Sequence, residues 1–338
     1  MASNVYELRP SQVLTKETET AEDEWLQRKL RPKNWDEFIG HEDEVKVLRR
    51  LLDAAKQRGE VTDHVVFHGP PGTGKTALAE LALEDIGDHR SIALQKANTG
   101  LGMAKELFTL QPKQALFVDE IHGLNPKATE YLQQAMEGTG FFHNVGVPFT
   151  LIGATTKLGM LSQPLKDRFG LIVYIDRYQS CLDEKIHDRH EKSCSYADLN
   201  KIVTLAAGKL DMEMATEAEA EVAQRSRGVP RIAGRLLRRV RDVSSVPTQQ
   251  QVQKLLQELH IDALGLDEAD RAYIRAISDR YNGGPVGIAT LAGTLGEAKE
   301  TLLEGIEPFL FRIGMVEVLP RGRHLTPAGM RYAKVLGK

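Results

Sequence analysis

Several short runs of this chain carry residue types that act on phosphate. GPPGTGKT places Gly69, Pro70, Pro71, Gly72, Thr73, Gly74, Lys75 and Thr76 in the spacing G-x4-G-K-[ST]. Glycines at this spacing let successive backbone N–H groups turn toward one anion, and a helix opening at the end of the loop adds partial positive charge. Lys75 is then placed to reach the β- and γ-phosphates of a nucleoside triphosphate, and the Thr76 hydroxyl to hold Mg²⁺. In LFVDEIH (116–122) an apolar run ends in two acids. Asp119 suits the Mg²⁺ shell and Glu120 suits polarisation of an attacking water. GATT (153–156) brings Thr156 to the end of another apolar run. Its hydroxyl either orients water against the γ-phosphate or serves as an ordinary turn threonine. Arg168, in PLKDRFG, is placed either to stabilise charge on a neighbouring subunit's nucleotide or to form a surface salt bridge. Arg231, in SRGVPRIAGRLLRRVRD, sits just inside a helix start and is placed to reach back to a γ-phosphate.

These runs need a scaffold, and the surrounding pattern supplies one. Apolar strands are expected at 64–68, 91–95, 115–119, 148–155 and 171–175, with helices over 76–87 and 126–137 between them. Strands alternating with helices imply a parallel sheet covered on both faces, with ligands at the strand ends. Before the first strand, EDEVKVLRRLLDAAKQRG puts Val45, Leu48, Leu51, Leu52 and Ala55 on one helical face, and Gly59 stops that helix. From about residue 197 strands disappear, and helices are expected near 197–209, 216–226, 230–243 and 248–259. From 263 the order becomes helix, helix, helix and a small hairpin in MVEVLPRGRHLT, the order of a winged helix.

The chain has 338 residues, 41% hydrophobic and 27% charged, with a net charge of −3. That excludes a globally basic nucleic-acid binder, so any such contact must come from local patches. No apolar run reaches the length of a bilayer span, and the first twenty-five residues lack the apolar centre of a secretory signal. Only two cysteines, Cys181 and Cys194, are present, which points to a reducing cytoplasm.

The phosphate loop, the paired acids, the threonine strand end and the two arginines, in this order, resemble the AAA+ ATPases. LRPKNWDEFIGHE (30–42), DEIHGLNPKATEYLQQAME (119–137), LSQPLKDRFG (161–170), RSRGVPRIAGRLLRRVRD (225–242), GGPVGIATLAGTLGE (283–297) and LPRGRHLT (319–326) are similar more specifically to the RuvB family of Holliday-junction branch-migration motors. The resemblance extends over nearly all of 25–335. It implies an α/β P-loop NTPase of AAA+ type with a parallel sheet, a helical lid and a C-terminal winged helix. The expected parts are a flexible tail (1–24), the large ATPase domain (25–180), an insertion (181–196), the lid (197–262) and the winged-helix DNA-binding domain (263–338). It also implies a cytoplasmic, hexameric ring that uses ATP and Mg²⁺ to move duplex or branched DNA without sequence preference. Lys75 and Thr76 match Walker A, Asp119 and Glu120 Walker B, Thr156 sensor 1, Arg168 the arginine finger acting in trans, and Arg231 sensor 2. Leu30, Arg31, Ile39, Tyr178 and Pro230 match positions around the adenine. Arg321 and Arg323 fall on a wing that faces DNA.

This chain departs from the RuvB pattern twice. The stretch GTGFFHNVGV (138–147) is shorter than the β-hairpin by which RuvB proteins dock on RuvA, which argues against a conventional RuvA partner. QSCLDEKIHDRHEKSCSYAD (179–198) reads as an insertion containing Cys181, His187, His190 and Cys194. If 185–195 is helical, His187, His190 and Cys194 share a face, a composition that suits tetrahedral Zn²⁺ although the spacing is not that of a standard finger. The other reading is a solvated charged insertion.

The arginine run Arg225, Arg227, Arg231, Arg235, Arg238, Arg239 and Arg241 reads either as a phosphate-binding face or as an interface and nucleotide-sensing helix. Arg321, Arg323, His324, Arg331, Lys334 and Lys338 make a basic end on the winged helix. An alternative on the same scaffold is an ATPase that remodels a protein partner.

Overall fold

The computed structural model describes residues 21–92, 98–137, 147–179 and 195–337. They form two compact units, Arg31–Arg177 and the segment up to Leu30 together with everything from Tyr178 onward.

In the first unit, helix α2 (Glu42–Arg58) precedes β1 (Val65–His68), α3 (Lys75–Ile86), β2 (His89–Ile92), α4 (Gly100–Phe108), β3 (Ala115–Val118), α5 (Pro126–Glu137), β4 (Thr150–Thr155), the short α6 (Gln163–Lys166) and β5 (Leu171–Tyr174); the preceding helix, α1 (Ala21–Leu30), belongs to the second unit. The strands form one parallel sheet in the order β2-β3-β4-β1-β5. Strand side chains alternate between two cores. Val65, Phe67, Ala115, Phe117, Ile152 and Ala154 pack under α2 and α3 with Leu48, Leu52, Leu78 and Leu83. Val66, Leu116, Val118 and Leu151 pack on the other face with Met103, Leu107 and Leu132 of α4 and α5. Central strands β3 and β4 are therefore buried throughout, whereas the edge strand β5 leaves Ile172 and Tyr174 largely exposed. Gly59 ends α2 as expected, in the left-handed conformation with its N–H on Ala55 and Lys56. Helix α4 was not anticipated, and β2 begins two residues before the expected 91; the rest of that expected strand lies outside the described residues.

The second unit holds α1, the four lid helices α7 (Tyr196–Lys209), α8 (Thr216–Arg225), α9 (Pro230–Val243) and α10 (Gln249–Glu258), then the winged helix. The winged helix comprises α11 (Glu268–Arg275), α12 (Ile288–Leu295), α13 (Glu307–Arg312), β6 (Val316–Leu319), β7 (Gly322–Leu325) and α14 (Pro327–Leu336). Capping boxes start three of these helices: Ser195 with Asp198 for α7, Thr248 with Gln251 for α10, and Asp267 with Asp270 for α11. The expected boundary at residue 25 is displaced. Leu26 is buried in the lid core with Leu199, Val203, Val222, Leu236 and Leu256, so α1 belongs with the lid and not with the ATPase domain. An added Cβ at Gly234 of α9 would meet the Leu30 side chain at 2.7 Å, which shows how closely α1 lies on that helix. The closing helix α14 was also not anticipated. Its N-cap Thr326 accepts from the Gly329 N–H, and Pro327 occupies its first turn.

Lid and winged helix meet at a buried arginine. Arg227 donates through Nη2 to Asp270 at 2.6 Å and through Nε to the Gly265 carbonyl at 2.8 Å, and its guanidinium lies 4.8 Å from the Phe309 ring centre. From the other side, Arg312 Nη2 donates to the Tyr178 carbonyl at 2.6 Å.

One half-buried histidine makes the ATPase unit sensitive to pH. His64 Nδ1 accepts the Leu151 N–H at 2.9 Å. Burial pushes its pKa down to about 4, opposed by nearby Asp63. A folded value below the unfolded one means that the stabilisation is complete above the unfolded pKa and is lost as pH falls from about 6.5 toward 4. The loss is about 3 kcal/mol at most, from a shift of roughly 2.5 pKa units. His64→Asn keeps an acceptor for Leu151 and removes the titration. Urea unfolding between pH 7 and pH 4.5 should therefore show a steeper loss of stability in the native chain than in H64N.

Candidate functional site

The parallel register brings three strand ends together. His68 of β1 pairs with Thr155 of β4, and Val118 of β3 pairs with Gly153 of β4. The phosphate loop leaves β1, the paired acids leave β3, and Thr156 follows β4, so the three motifs emerge at one edge of the sheet.

The loop can only be built with glycine at its start. Gly69 has φ of +146°, and a Cβ there would sit 2.0 Å from the Ile175 carbonyl oxygen. Thr73 ties the loop down, its hydroxyl donating to the Pro70 carbonyl at 3.0 Å or the Ile175 carbonyl at 3.2 Å. Lys75 is buried, and its Nζ donates to the carbonyls of Gly69 (3.0 Å) and Pro70 (2.7 Å), which satisfies the ammonium within the loop itself. Gly74 N-caps α3 with φ of +113°, facing the Phe38 ring.

The Thr76 hydroxyl donates to Asp119 Oδ2 at 3.2 Å, across the intervening β4. Burial raises the Asp119 carboxyl above the ordinary carboxylate range. The Glu120 amide, donating to Oδ1 at 2.9 Å, and the Thr76 hydroxyl oppose that rise, while the Glu120 carboxylate adds to it. A hydroxyl and a carboxylate within hydrogen-bond reach are hard oxygen donors that suit Mg²⁺, whose charge would hold Asp119 ionised.

Glu120 adopts a left-handed backbone, φ +46°, an uncommon conformation for a non-glycine residue. Its Oε2 accepts from the Thr156 N–H at 3.2 Å and hydroxyl at 3.3 Å. His122 Nδ1 stands 3.2 Å from the same oxygen and 2.9 Å from the Thr155 hydroxyl. The sequence motif contained His122 but assigned it nothing. No pattern in one sequence says which neighbour of a paired-acid motif turns inward.

The remaining expected residues divide between the units. In the ATPase unit, Arg31 forms an ion pair with Glu80 of α3, and Ile39 is half-buried shortly before α2. Arg168 pairs with Glu137, the last residue of α5, and also donates to the Pro164 carbonyl. In the second unit, Leu30 packs against the lid core, and buried Tyr178 donates its N–H to the Gly228 carbonyl at 2.9 Å. Pro230 opens α9, and Arg231 Nη2 donates to Gln27 of α1 at 3.2 Å. The arginine run is thus not a uniform phosphate face: Arg238 pairs with Glu22, Arg239 lies 3.3 Å from Asp242, and Arg225 pairs with Glu221.

On the winged helix the structure separates the two expected DNA arginines. Arg321 is exposed at the tip between β6 and β7. Arg323 is half-buried and engaged within the winged helix. It makes a two-pronged contact with Glu307, Nε to Oε1 at 2.8 Å and Nη2 to Oε2 at 3.1 Å, and Tyr273 donates to the same carboxylate at 2.6 Å. Glu307 is only 1% exposed and needs this partner. Arg323 lies in β7 on the same face as buried Leu325, whereas Arg321 sits in the turn before the strand, a difference that PRGR alone does not reveal. Arg331 and Lys334 of α14 are exposed. The Cys181, His187, His190 and Cys194 set and the shortened stretch 138–146 lie outside the described residues. Among the described residues no cluster of metal-ligating side chains occurs, and no helix is long and apolar enough to cross a membrane.

Models of three families match the chain in succession: the Holliday junction DNA helicase RuvB P-loop domain over 30–175, the RuvB AAA lid domain over 195–267 and the RuvB C-terminal winged helix domain over 263–334. The chain is similar to the Holliday junction branch migration complex subunit RuvB of Paramagnetospirillum magneticum, 40% identical over 321 residues that cover 90% of this chain and 88% of the relative. It is equally similar to that of Granulibacter bethesdensis, 40% identical over 329 residues that cover 92% and 87%. Among solved structures, the Thermotoga maritima RuvB Holliday junction branch migration motor matches with a TM-score of 0.79 at 40% identity, covering 90% of this chain and 98% of that one.

The two wing arginines should behave differently when truncated. Arg323→Ala leaves Glu307 buried without its cation and should cost roughly 3 kcal/mol in unfolding by denaturant. Arg321→Ala should leave stability within about 0.5 kcal/mol of the native chain.

Proposed function

The chain belongs to the RuvB family of Holliday-junction branch-migration motors, and we propose that it hydrolyses ATP to drive Holliday-junction and duplex DNA past itself as a ring-forming oligomer. The observation that carries this reading is the convergence of Lys75, Thr76, Asp119, Glu120 and Thr156 at the ends of β1, β3 and β4, in a chain whose wing presents Arg321.

The backbone N–H groups of 69–76 and the N-terminus of α3 bind the β- and γ-phosphates, and Lys75 exchanges its two carbonyl partners for phosphate oxygens. Thr76 and Asp119 would hold Mg²⁺, whose charge would help neutralise the phosphates. Glu120 takes the proton of the attacking water, and Thr156 holds that carboxylate in place. Arg168 leaves Glu137 to stabilise transition-state charge on a neighbouring subunit's nucleotide. Arg231 reports the γ-phosphate to the lid, and Leu30, Arg31, Ile39, Tyr178 and Pro230 recognise the adenine. The ring is hexameric and works in the cytoplasm. DNA is held through phosphates by Arg321, with Arg331 and Lys334 of α14, and no base-reading set is present among these residues. The short 138–147 stretch favours loading without a conventional RuvA, and the Cys181/His187/His190/Cys194 set suits Zn²⁺, to be checked by metal analysis of the purified chain.

ATP hydrolysis measured without DNA, with linear duplex and with a four-way junction, at low and moderate salt, tests the motor reading. DNA should stimulate turnover, and Lys75→Ala and Glu120→Gln should abolish it. Arg321→Ala should weaken DNA binding similarly for unrelated sequences and flatten the salt dependence by about one unit of slope. A flat response to DNA with intact basal hydrolysis would instead indicate a protein client. Arg168→Ala subunits mixed with Glu120→Gln subunits should recover turnover that neither has alone, as a residue acting in trans requires.

A further inference from the structure

We propose that His122 is a positioning residue for ATP hydrolysis, anchoring one oxygen of Glu120 so that the other faces the attacking water. The inference rests on the reading of Glu120 as the general base and goes beyond it by assigning what aims that base. The polar contacts of the Glu120 side chain among the described residues converge on Oε2, two of them hydrogen bonds from Thr156 and one a close approach of His122. They come from the Thr156 N–H at 3.2 Å, the Thr156 hydroxyl at 3.3 Å and His122 Nδ1 at 3.2 Å. The carboxylate is nonetheless 44% exposed. A carboxylate held through one oxygen presents the other, Oε1, in a fixed direction, and a base contributes only when it lies within reach of the proton it takes.

The anchor is itself anchored. His122 Nδ1 meets Glu120 Oε2 as a close polar contact at 3.2 Å. The same Nδ1 lies 2.9 Å from the Thr155 hydroxyl oxygen, and that oxygen accepts the Lys157 N–H at 3.0 Å. Thr155 is fully buried as the last residue of β4, and His122 is 16% exposed, so the ring has little freedom to turn. The chain of contacts runs from the end of β4, through Thr155 and His122, to the acid at the end of β3, and returns through Thr156 to β4. Glu120 needs such a clamp because its left-handed backbone gives it no helix or strand to lean on. Oxygen and nitrogen atoms at these distances give a catalytic carboxylate one orientation where solvent would allow many.

The test is single-turnover and steady-state hydrolysis at saturating ATP with DNA present, alongside nucleotide affinity from a fluorescent ATP analogue. His122→Ala should lower kcat about tenfold to a hundredfold, part of the 10²–10⁴ that a whole general base supplies, with nucleotide affinity unchanged within about twofold. His122→Asn places an amide N–H where Nδ1 stands and should restore kcat to within about threefold of the native chain. His122→Gln carries its amide one bond further and should not restore it. Thr155→Val should lower kcat by less, and H122A/T155V should be no slower than H122A alone, because both remove one chain of contacts. Native kcat in H122A, a parallel loss of affinity, or failure of Asn to restore turnover in a chain that unfolds normally would each overturn the assignment. Glu120→Gln run beside them separates the two readings. An inactive E120Q with an unaffected H122A sinks the positioning role alone, whereas an active E120Q sinks the reading of Glu120 as base, and His122's role with it.

Discussion

The hydrogen bond between Thr76 and Asp119 joins the segments that follow β1 and β3, two strands that are not neighbours. β4 lies between β3 and β1, and only a parallel register that ends all three strands at one level lets the hydroxyl that follows the phosphate loop meet the acid that follows β3. The sheet is therefore part of the chemistry. It is held rigid by two cores of aliphatic side chains, and Gly153 of β4 leaves room where Ile121 and Val66 approach within 3.5 Å of the position a Cβ would take. A larger residue there would press on the segment that carries Glu120 and His122.

Charge burial in this molecule is managed by local pairing. Lys75 is satisfied by carbonyls of its own loop. At the junction of lid and winged helix, Arg227 sits between Asp270, Asp267, a carbonyl and an aromatic ring. In the winged helix, Glu307 is held by Arg323 and Tyr273, whose ionisation burial and that carboxylate both push up. Each of these groups would be costly if left unpaired, so each fixes a backbone segment that function needs in place: the phosphate loop, the start of the winged helix, and the base of the wing. The exposed Arg321 is thereby carried on a strand pair whose inward arginine is already committed.

Much of the fold was legible because it is written in local patterns. Gly59 as the stop of α2 and the apolar runs that become β1 and β3 each act over a few residues. What was misread depended on partners far along the chain. Helix α1 reads as a polar tail running into an ATPase domain, yet Leu26 finds its core among lid helices more than 170 residues away. Helices α4 and α14 were missed because α4 is interrupted by Gly100 and Gly102 and α14 by Gly329, and packing, not propensity, keeps them helical.

The sequence by itself determined the chemistry of the phosphate loop, the pair of acids and the order of the domains, since adjacent residues and a strand on one side with a helix on the other are enough to build a cradle for phosphate. The tertiary structure alone decided which side chains are available to use. Arg321 and Arg323 are separated only by Gly322, but the hairpin turn leaves Arg321 exposed while β7 sets Arg323 against a buried carboxylate contributed by α13. His122 acquires a role only because β4 delivers Thr155 within 2.9 Å of its ring. Both outcomes rest on contacts between residues distant in sequence, and the geometry of such contacts is fixed by how elements pack, which local spacing does not encode.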